Sequence, residues 1–195
     1  GNVGTNEVTN FIGTTDAKPL IFRTNNTYAG QISNNGMVAM GIGAAPILSD
    51  ASIVAIGKNA LLNNGTGATG FQGKGNTAVG SDALKANTTG NGNTSVGYYA
   101  LNENTTGKEN TATGVGALQN NNTGNMNVAV GYAALSQNKE SLNTAVGHSA
   151  LQMNINGNNN TAIGHASLNS NTIGDYNTAV GNYSLRFNLE GAQNT

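Results

Sequence analysis

A seventeen-residue unit recurs along most of this chain, and that period constrains the fold more than any other feature. Each copy has a glycine at one fixed position and, four residues later, a leucine. The glycines are Gly57, Gly80, Gly97, Gly114, Gly131, Gly147, Gly164 and Gly181. The leucines are Leu61, Leu84, Leu101, Leu118, Leu135, Leu151, Leu168 and Leu185. Repetition at a short fixed period indicates a solenoid, because one such unit cannot bury its apolar side chains without stacking on its neighbours.

The length and pattern of the unit favour strands over helices. Seventeen residues are too few for two helices and a turn, and the apolar positions do not follow helical spacing. We therefore predict an all-β, parallel solenoid with one unit per coil. Each coil is expected to contain two short strands, Asn-Thr-Ala-Val and the stretch around Ala-Leu, separated by Gly and Asn turns.

Alternation along the first strand separates two columns of side chains. We expect the aliphatic column, represented by Val79 and Val96, to lie inside the coil with the leucines. The small column, represented by Ala78 and Ala112, should then face solvent or, as we favour, a closely approaching neighbouring chain. A third column consists of asparagines, such as Asn93. We expect their stacked amides to hydrogen-bond one another between coils.

The chain divides into two parts on this interpretation. Residues 36-195 form the repeat array, which we expect to continue beyond the C-terminus because Asn194 and Thr195 open another copy. The wider spacing between Gly57 and Gly80 predicts a loop insertion at about 63-74. Residues 1-35 have two β-like apolar clusters joined by a turn at 16-19, which indicates an N-terminal β cap or a connector.

Composition excludes several classes of function. The chain has 8 Lys and Arg against 9 Asp and Glu, so it lacks the basic patch that nucleic-acid binding needs. It has no Cys, which excludes disulfides and thiolate metal sites. No apolar run approaches the ~20 residues that span a bilayer, and no signal peptide is recognisable, so we expect no membrane insertion by this segment.

Thin coils of this composition are expected to associate. One leucine and one aliphatic residue per coil bury little apolar surface, whereas ordering the whole backbone of the coil is costly. Small cores are commonly supplemented by oligomerisation. We therefore predict self-association, in which other copies of the chain supply the missing apolar contacts.

Two segments resemble a known repeat family. Ser52-Ile53-Val54-Ala55-Ile56-Gly57 and Gly36-Met37-Val38-Ala39-Met40-Gly41 are similar to the head repeats of YadA-like trimeric autotransporter adhesins. Later copies carry Thr-Ala-Val-Gly at the same place. The resemblance implies a left-handed β-roll, a homotrimer that is intertwined or side by side, and a fibre on a cell surface or virion. The array is also similar to segments of phage or injection-system tail fibres.

Aromatic side chains supply the candidate contact residues for a ligand. They follow the repeat glycine or occupy the next position, apart from one in the predicted loop. The set is Tyr98, Tyr99, Tyr132, His148, His165, Tyr183 and Phe71. Exposed rings beside amides can bind sugars, although such rings can equally pack between chains. The two histidines should lie close in consecutive coils, but no third ligand recurs beside them, so we predict no metal and no cofactor.

These observations lead to one main functional hypothesis and three alternatives. The main hypothesis is an extracellular, non-catalytic adhesin fibre that binds a host-surface receptor, glycan or matrix. The alternatives are a passive fibre spacer, a polysaccharide-processing fibre with sites between subunits, and an ice-binding solenoid. Ice binding would use the threonine column, which Val128 interrupts. No recurring carboxylate pair or His-acid pair indicates catalysis, so we predict no enzyme.

Overall fold

The computed structural model describes residues 13–46 and 52–195, and the strands in these ranges form a single sheet. Its eleven strands follow one another in chain order. They are β1 (Leu20–Thr24), β2 (Thr27–Ile32), β3 (Val38–Met40), β4 (Val54–Ile56), β5 (Thr77–Val79), β6 (Thr94–Val96), β7 (Thr111–Thr113), β8 (Val128–Val130), β9 (Thr144–Val146), β10 (Thr161–Ile163) and β11 (Thr178–Val180). No helix occurs in the described ranges.

Strands β3 to β11 pair in parallel, each with the next, and their registers reproduce the sequence repeat. Thr94 pairs with Thr111, and Ser95 pairs with Ala112. The same match recurs from coil to coil, so the array is a parallel β-solenoid of about eight turns with a spacing of ~17 residues. The predicted solenoid and its vertical alignment of equivalent residues are confirmed.

The two faces of these strands are the reverse of our prediction. The alanine column is buried inside the coil, with Ala78 and Ala112 at 0% exposure beside the buried leucines. The aliphatic column points outward, and Val96 is 38% exposed. The coil is too thin for a larger residue at the inner position. Ser95, the one serine in the alanine column, donates a hydrogen bond of 2.8 Å across the interior to the carbonyl oxygen of Ala100.

The predicted second strand of each coil is also wrong, because the Ala-Leu stretch consists of consecutive turns. Tyr99 and Leu101 have left-handed backbones with φ of 59° and 49°. Turn bonds run from the amide of Asn102 to Tyr99 O (3.4 Å) and from the amide of Asn104 to Leu101 O (3.1 Å). A residue in the left-handed helical region, with φ near 50 to 60°, does not continue a strand. These turns direct the leucine side chain into the core.

Two ladders of buried asparagine complete the interior of the coil. In one, Asn93 Nδ2 donates to Asn76 Oδ1 of the preceding coil at 3.2 Å. In the other, Asn104 Nδ2 donates to Asn87 Oδ1 at 2.9 Å. The carbonyl oxygen of Gly107 accepts from both Asn93 (2.8 Å) and Asn104 (3.1 Å). The predicted amide stacking is therefore present, and it satisfies polar groups that burial would otherwise penalise.

The repeat glycine is required by the close approach of adjacent coils. Gly114 has φ of 132°, a conformation that L side chains rarely adopt. A Cβ placed there would overlap the carbonyl oxygen of Gly131 in the next coil. Every coil turns in this way at the end of its strand, which explains why this column admits no other residue.

The array departs from its regular coil at three places, one of which is the sixteen-residue coil from Gly131 to Gly147, where Asn138 Nδ2 bonds Glu140 O only two residues on. The other two are the N-terminal strands and the predicted loop. Strands β1 and β2 form an antiparallel hairpin through Asn25 and Asn26, and β2 pairs antiparallel with β3. In the predicted loop, Asn64 Nδ2 bonds Gly73 O at 2.8 Å, whereas regular coils close this bond over three residues, as in Asn87 to Gly90. The extra residues therefore lie between Asn64 and Gly73. Of the two clusters predicted near the N-terminus, Phe11 and Ile12 lie outside the described residues.

Candidate ligand-binding groove

Side chains one or two residues after the repeat glycine form a ladder of rings along one edge of the solenoid. The Tyr132 and His148 rings are stacked, with centroids 4.9 Å apart and planes at 18°. His148 stacks on His165 at 5.2 Å, and Tyr183 meets His165 edge-on at 4.9 Å. These ring contacts join four consecutive coils. The two histidines lie close together, as predicted.

Tyr98 and Tyr99 form a separate ring pair nearer the N-terminus. Their centroids are 4.3 Å apart and their planes are nearly perpendicular, at 84°. The hydrogen bond with Tyr99 raises the pKa of Tyr98 above its ordinary value. The coil between this pair and Tyr132 carries Val115 and Gly116 at the same two positions. The ring column is consequently interrupted for one coil.

This interruption forms an open groove of about 410 Å³. Tyr98 and Tyr132 stand at its two ends, and both rings are about half exposed, at 52% and 55%. The floor consists of Val115, which lies between the two tyrosines, and of the small residues Gly116 and Ala133 at the left-handed position. The opposite wall consists of polar side chains, namely Gln119, Ser136, Gln137 and Gln152. We call this site the aromatic groove.

A second hollow of about 220 Å³ follows along the same edge of the solenoid, and Gln152 lines both. His148, His165 and Tyr183 form its ring wall, and Ser149 and Ala166 occupy the small positions. The Arg186 guanidinium lies 4.8 Å from the centroid of the Tyr183 ring. This hollow is therefore cationic at its C-terminal end, whereas the side chains that line the aromatic groove have no formal charge at neutral pH.

The predicted contact residues do not all come together. Tyr98, Tyr99, Tyr132, His148, His165 and Tyr183 share one edge of the solenoid. Phe71 lies apart, 84% exposed, in a hollow with Gly75, Asn91 and Gly92. Its ring centroid is 5.3 Å from Lys74 Nζ.

Sequence reasoning missed the polar wall. Gln119, Gln152, Asn169 and Arg186 all lie five residues after a repeat glycine, so this column was present in the repeat alignment. It was not identified because its residue types vary, unlike those of the leucine and asparagine columns. A scan for polar residues at equivalent positions would have found it.

The strand face is the second distinctive surface, and we define it as the outward-pointing threonine and aliphatic columns of β4 to β11. The exposed large aliphatic residues on it are Ile56, Val96, Val128, Val130, Val146, Ile163 and Val180, which range from 37% to 66% exposed. Because the strands stack in register, these side chains form an apolar stripe along the solenoid, interrupted at β7 by Thr111 and Thr113. Stripes of this kind commonly mark interaction surfaces.

Neither surface includes a cluster of metal-ligating side chains or a membrane-spanning helix. Among residues 13–46 and 52–195, no three His, Asp or Glu side chains are grouped so that they could hold a metal ion. The same ranges contain no helix that is long and apolar enough to cross a membrane. The aromatic groove offers ring faces and amide groups, which suit stacking and hydrogen bonding to an uncharged polar ligand.

Comparisons with protein-family models, curated proteins and solved structures found no match to this chain. Functional inference therefore rests on the two surfaces just described. One is an apolar stripe on the strands, and the other is a row of rings and amides at the neighbouring turns.

Proposed function

We propose that this chain is a non-catalytic segment of an extracellular trimeric fibre, similar to YadA-like adhesins, that displays a binding surface for a host receptor, glycan or matrix. In this proposal three left-handed β-rolls pack around a common axis, on a cell surface or a virion. The apolar strand face is the observation that carries it. Without a partner, this stripe leaves valine and isoleucine in water on coil after coil.

The composition of the coil interior supports association through that face. Each regular coil buries one leucine, small residues and two asparagines, so the amount of apolar surface buried within the chain is low. The threonine and aliphatic columns are the apolar surface that remains available to a second copy. Identical chains that meet around a rotation axis cover the same face on every copy, which a closed ring of three achieves.

Light scattering tests the trimer directly. We expect the chain to have three times the 19.7 kDa mass of one copy. Val130→Asp should shift the mass to that of one copy, because it places a carboxylate in the middle of the strand face. Met153→Asp introduces the same charge at another exposed apolar residue, which is 42% exposed and lies off this face, and should leave the mass unchanged. A single-copy mass for the wild type would refute the proposal.

A passive spacer is the second candidate, and the backbone hydrogen bonds between coils support it. Backbone bonds such as Leu101 N to Ala117 O (3.0 Å) join successive coils even outside the strands. A chain tied in this way suits the stiff shaft of a phage or injection-system tail fibre. Glycan-array binding by the chain distinguishes a display surface from a spacer, and an ice recrystallisation assay tests the ice-binding alternative.

A further inference from the structure

We propose that the aromatic groove binds a linear, neutral hexose oligosaccharide with one sugar ring between Tyr98 and Tyr132, so that the sugar chain runs across the solenoid axis. This inference rests on the proposed display function and assigns it a site and a ligand class. Three features of the groove support it: the spacing of the rings, the amides on the facing wall, and the absence of charge in the lining.

The spacing of the ring column leaves room for one saccharide ring. Tyr98 and Tyr132 occupy equivalent positions two coils apart, which is about 9.6 Å at the ~4.8 Å spacing of paired strands. A ring that stacks on both tyrosines needs about 7 to 8 Å, since each carbon contact takes about 3.5 to 4.0 Å. Val115 lies between the tyrosines in the intervening coil, and because its side chain is shorter than theirs, the sugar would sit above it, between the outer parts of the two rings. Tyr132 and His148, in adjacent coils, already contact each other at 4.9 Å and leave no such space.

The facing wall supplies hydrogen-bonding groups for hydroxyls. An amide side chain offers two donor hydrogens and an acceptor oxygen. The side-chain amide of Gln119 forms no hydrogen bond within the described part of the chain. Gln137 and Gln152 accept bonds at Oε1 from Asn120 (3.0 Å) and Asn169 (3.3 Å), which orients their NH₂ groups away from these partners. A sugar stacked on the tyrosines would meet these groups at its edge.

The charge of the groove selects a neutral sugar. Its lining consists of tyrosine, glutamine, serine and small residues, with no cation to pair with a carboxylate or sulfate. The neighbouring cations along this edge, Lys58 before Tyr98 and Arg186 in the following hollow, do not line the groove.

Calorimetric titration of the full chain tests the proposal with three neutral probes: maltohexaose, cellohexaose and β-1,4-galactohexaose. The acidic comparison is a galacturonic acid hexamer. We expect at least one neutral hexamer to bind, and the acidic hexamer to bind more weakly. Tyr132→Ala should weaken the neutral hexamer about tenfold, because one stacking wall is lost. Val115→Tyr should abolish binding, because a ring at this position fills the space between the walls.

Tyr176→Ala is the matched control, because Tyr176 is 60% exposed and lines neither hollow. It should leave the affinity unchanged. The proposal is overturned if no neutral hexamer binds, if the acidic hexamer binds better, or if Val115→Tyr binds as well as the wild type. Light scattering on the same samples separates the two proposals. A trimer that binds no hexamer refutes the groove alone, whereas a single-copy mass refutes the fibre.

Discussion

The two sides of each three-residue strand experience different constraints, although their residues are neighbours in sequence. On the inner side Ala112 is fully buried, and only small side chains occupy its column because the opposite wall of the coil lies within hydrogen-bonding reach. On the outer side Val130 is 38% exposed. Hydrophobicity alone therefore does not determine which side is inside, because the space available inside the coil excludes the larger residue.

The sharpest test of the interior is Leu118→Asn. Leu118 is fully buried in the middle of the array. The variant therefore loses the packing of the leucine side chain and places an amide without hydrogen-bond partners in the core. We expect the free energy of unfolding to fall by about 4 kcal/mol. Thermal unfolding followed by circular dichroism measures this. Tyr132→Ala, at an exposed ring, should cost less than about 1 kcal/mol, and equal losses would contradict the assignment of inside and outside.

Substitutions at two glycines of one coil separate the effect of a clash between coils from the effect of a positive φ. Gly114→Ala should cost about 3 kcal/mol or more, since it combines a disfavoured φ with a clash against the Gly131 carbonyl. Gly116→Ala should cost only about 1 kcal/mol, because its φ of 67° is one that other residues adopt in this column. Chemical denaturation of both variants gives the comparison. If Gly116→Ala costs as much, the contact between coils is not the reason for the glycine column.

A pair of valine substitutions in β7 compares the two sides of one strand. Ala112→Val adds two methyl groups to a filled interior and should destabilise the chain by about 2 kcal/mol. Thr113→Val is nearly isosteric, points outward and extends the apolar strand face, so it should leave the unfolding temperature unchanged or raise it. Differential scanning calorimetry measures both. A stabilising Ala112→Val would show that the interior has unfilled space.

The smallest expected effect concerns Asp82 at the turn that follows β5. A hydrogen bond from Asn59 Nδ2 (3.0 Å) lowers the pKa of this carboxyl, with further contributions from Ser81 and Lys85. Because the folded pKa lies below the unfolded value of about 3.9, the stabilisation is present above that pH. It is lost as the pH falls through the folded pKa.

The Asp82→Asn variant tests this linkage. It should be less stable than the wild type at pH 7 by no more than about 1 kcal/mol, since Lys85 is 40% exposed and solvent screens the pair. Unfolding temperatures measured between pH 7 and pH 2 should converge at the acid end. A constant difference across that range would show that the charge of Asp82 does not contribute.

Much of the architecture could be predicted from the repeat alone. The seventeen-residue spacing indicated one coil per unit, and the regular asparagines indicated amide ladders, because a residue that recurs in every coil must meet its own equivalents. Which side of each strand faces the interior could not be obtained in this way. Alternation separates Ala78 from Val79 but does not say which of them points inward.

The prediction of a second strand in each coil was wrong for a related reason. Leucine normally avoids positive φ, so nothing in the Ala-Leu stretch indicates that Leu101 adopts a left-handed turn. The candidate rings were identifiable because they share one position of the repeat. The amide wall facing them comes from another position of the coil, and only the path of the chain through the turns brings the two together.

Sequence periodicity thus established the solenoid, its register and the columns of residues that stack. The packed structure decided which columns are buried, where Phe71 lies relative to the other rings, and that the gap at Val115 becomes a groove. The reason is that register follows from matching identical units, whereas burial depends on the distance across one coil. That distance is set by backbone turns whose geometry the residue pattern does not encode.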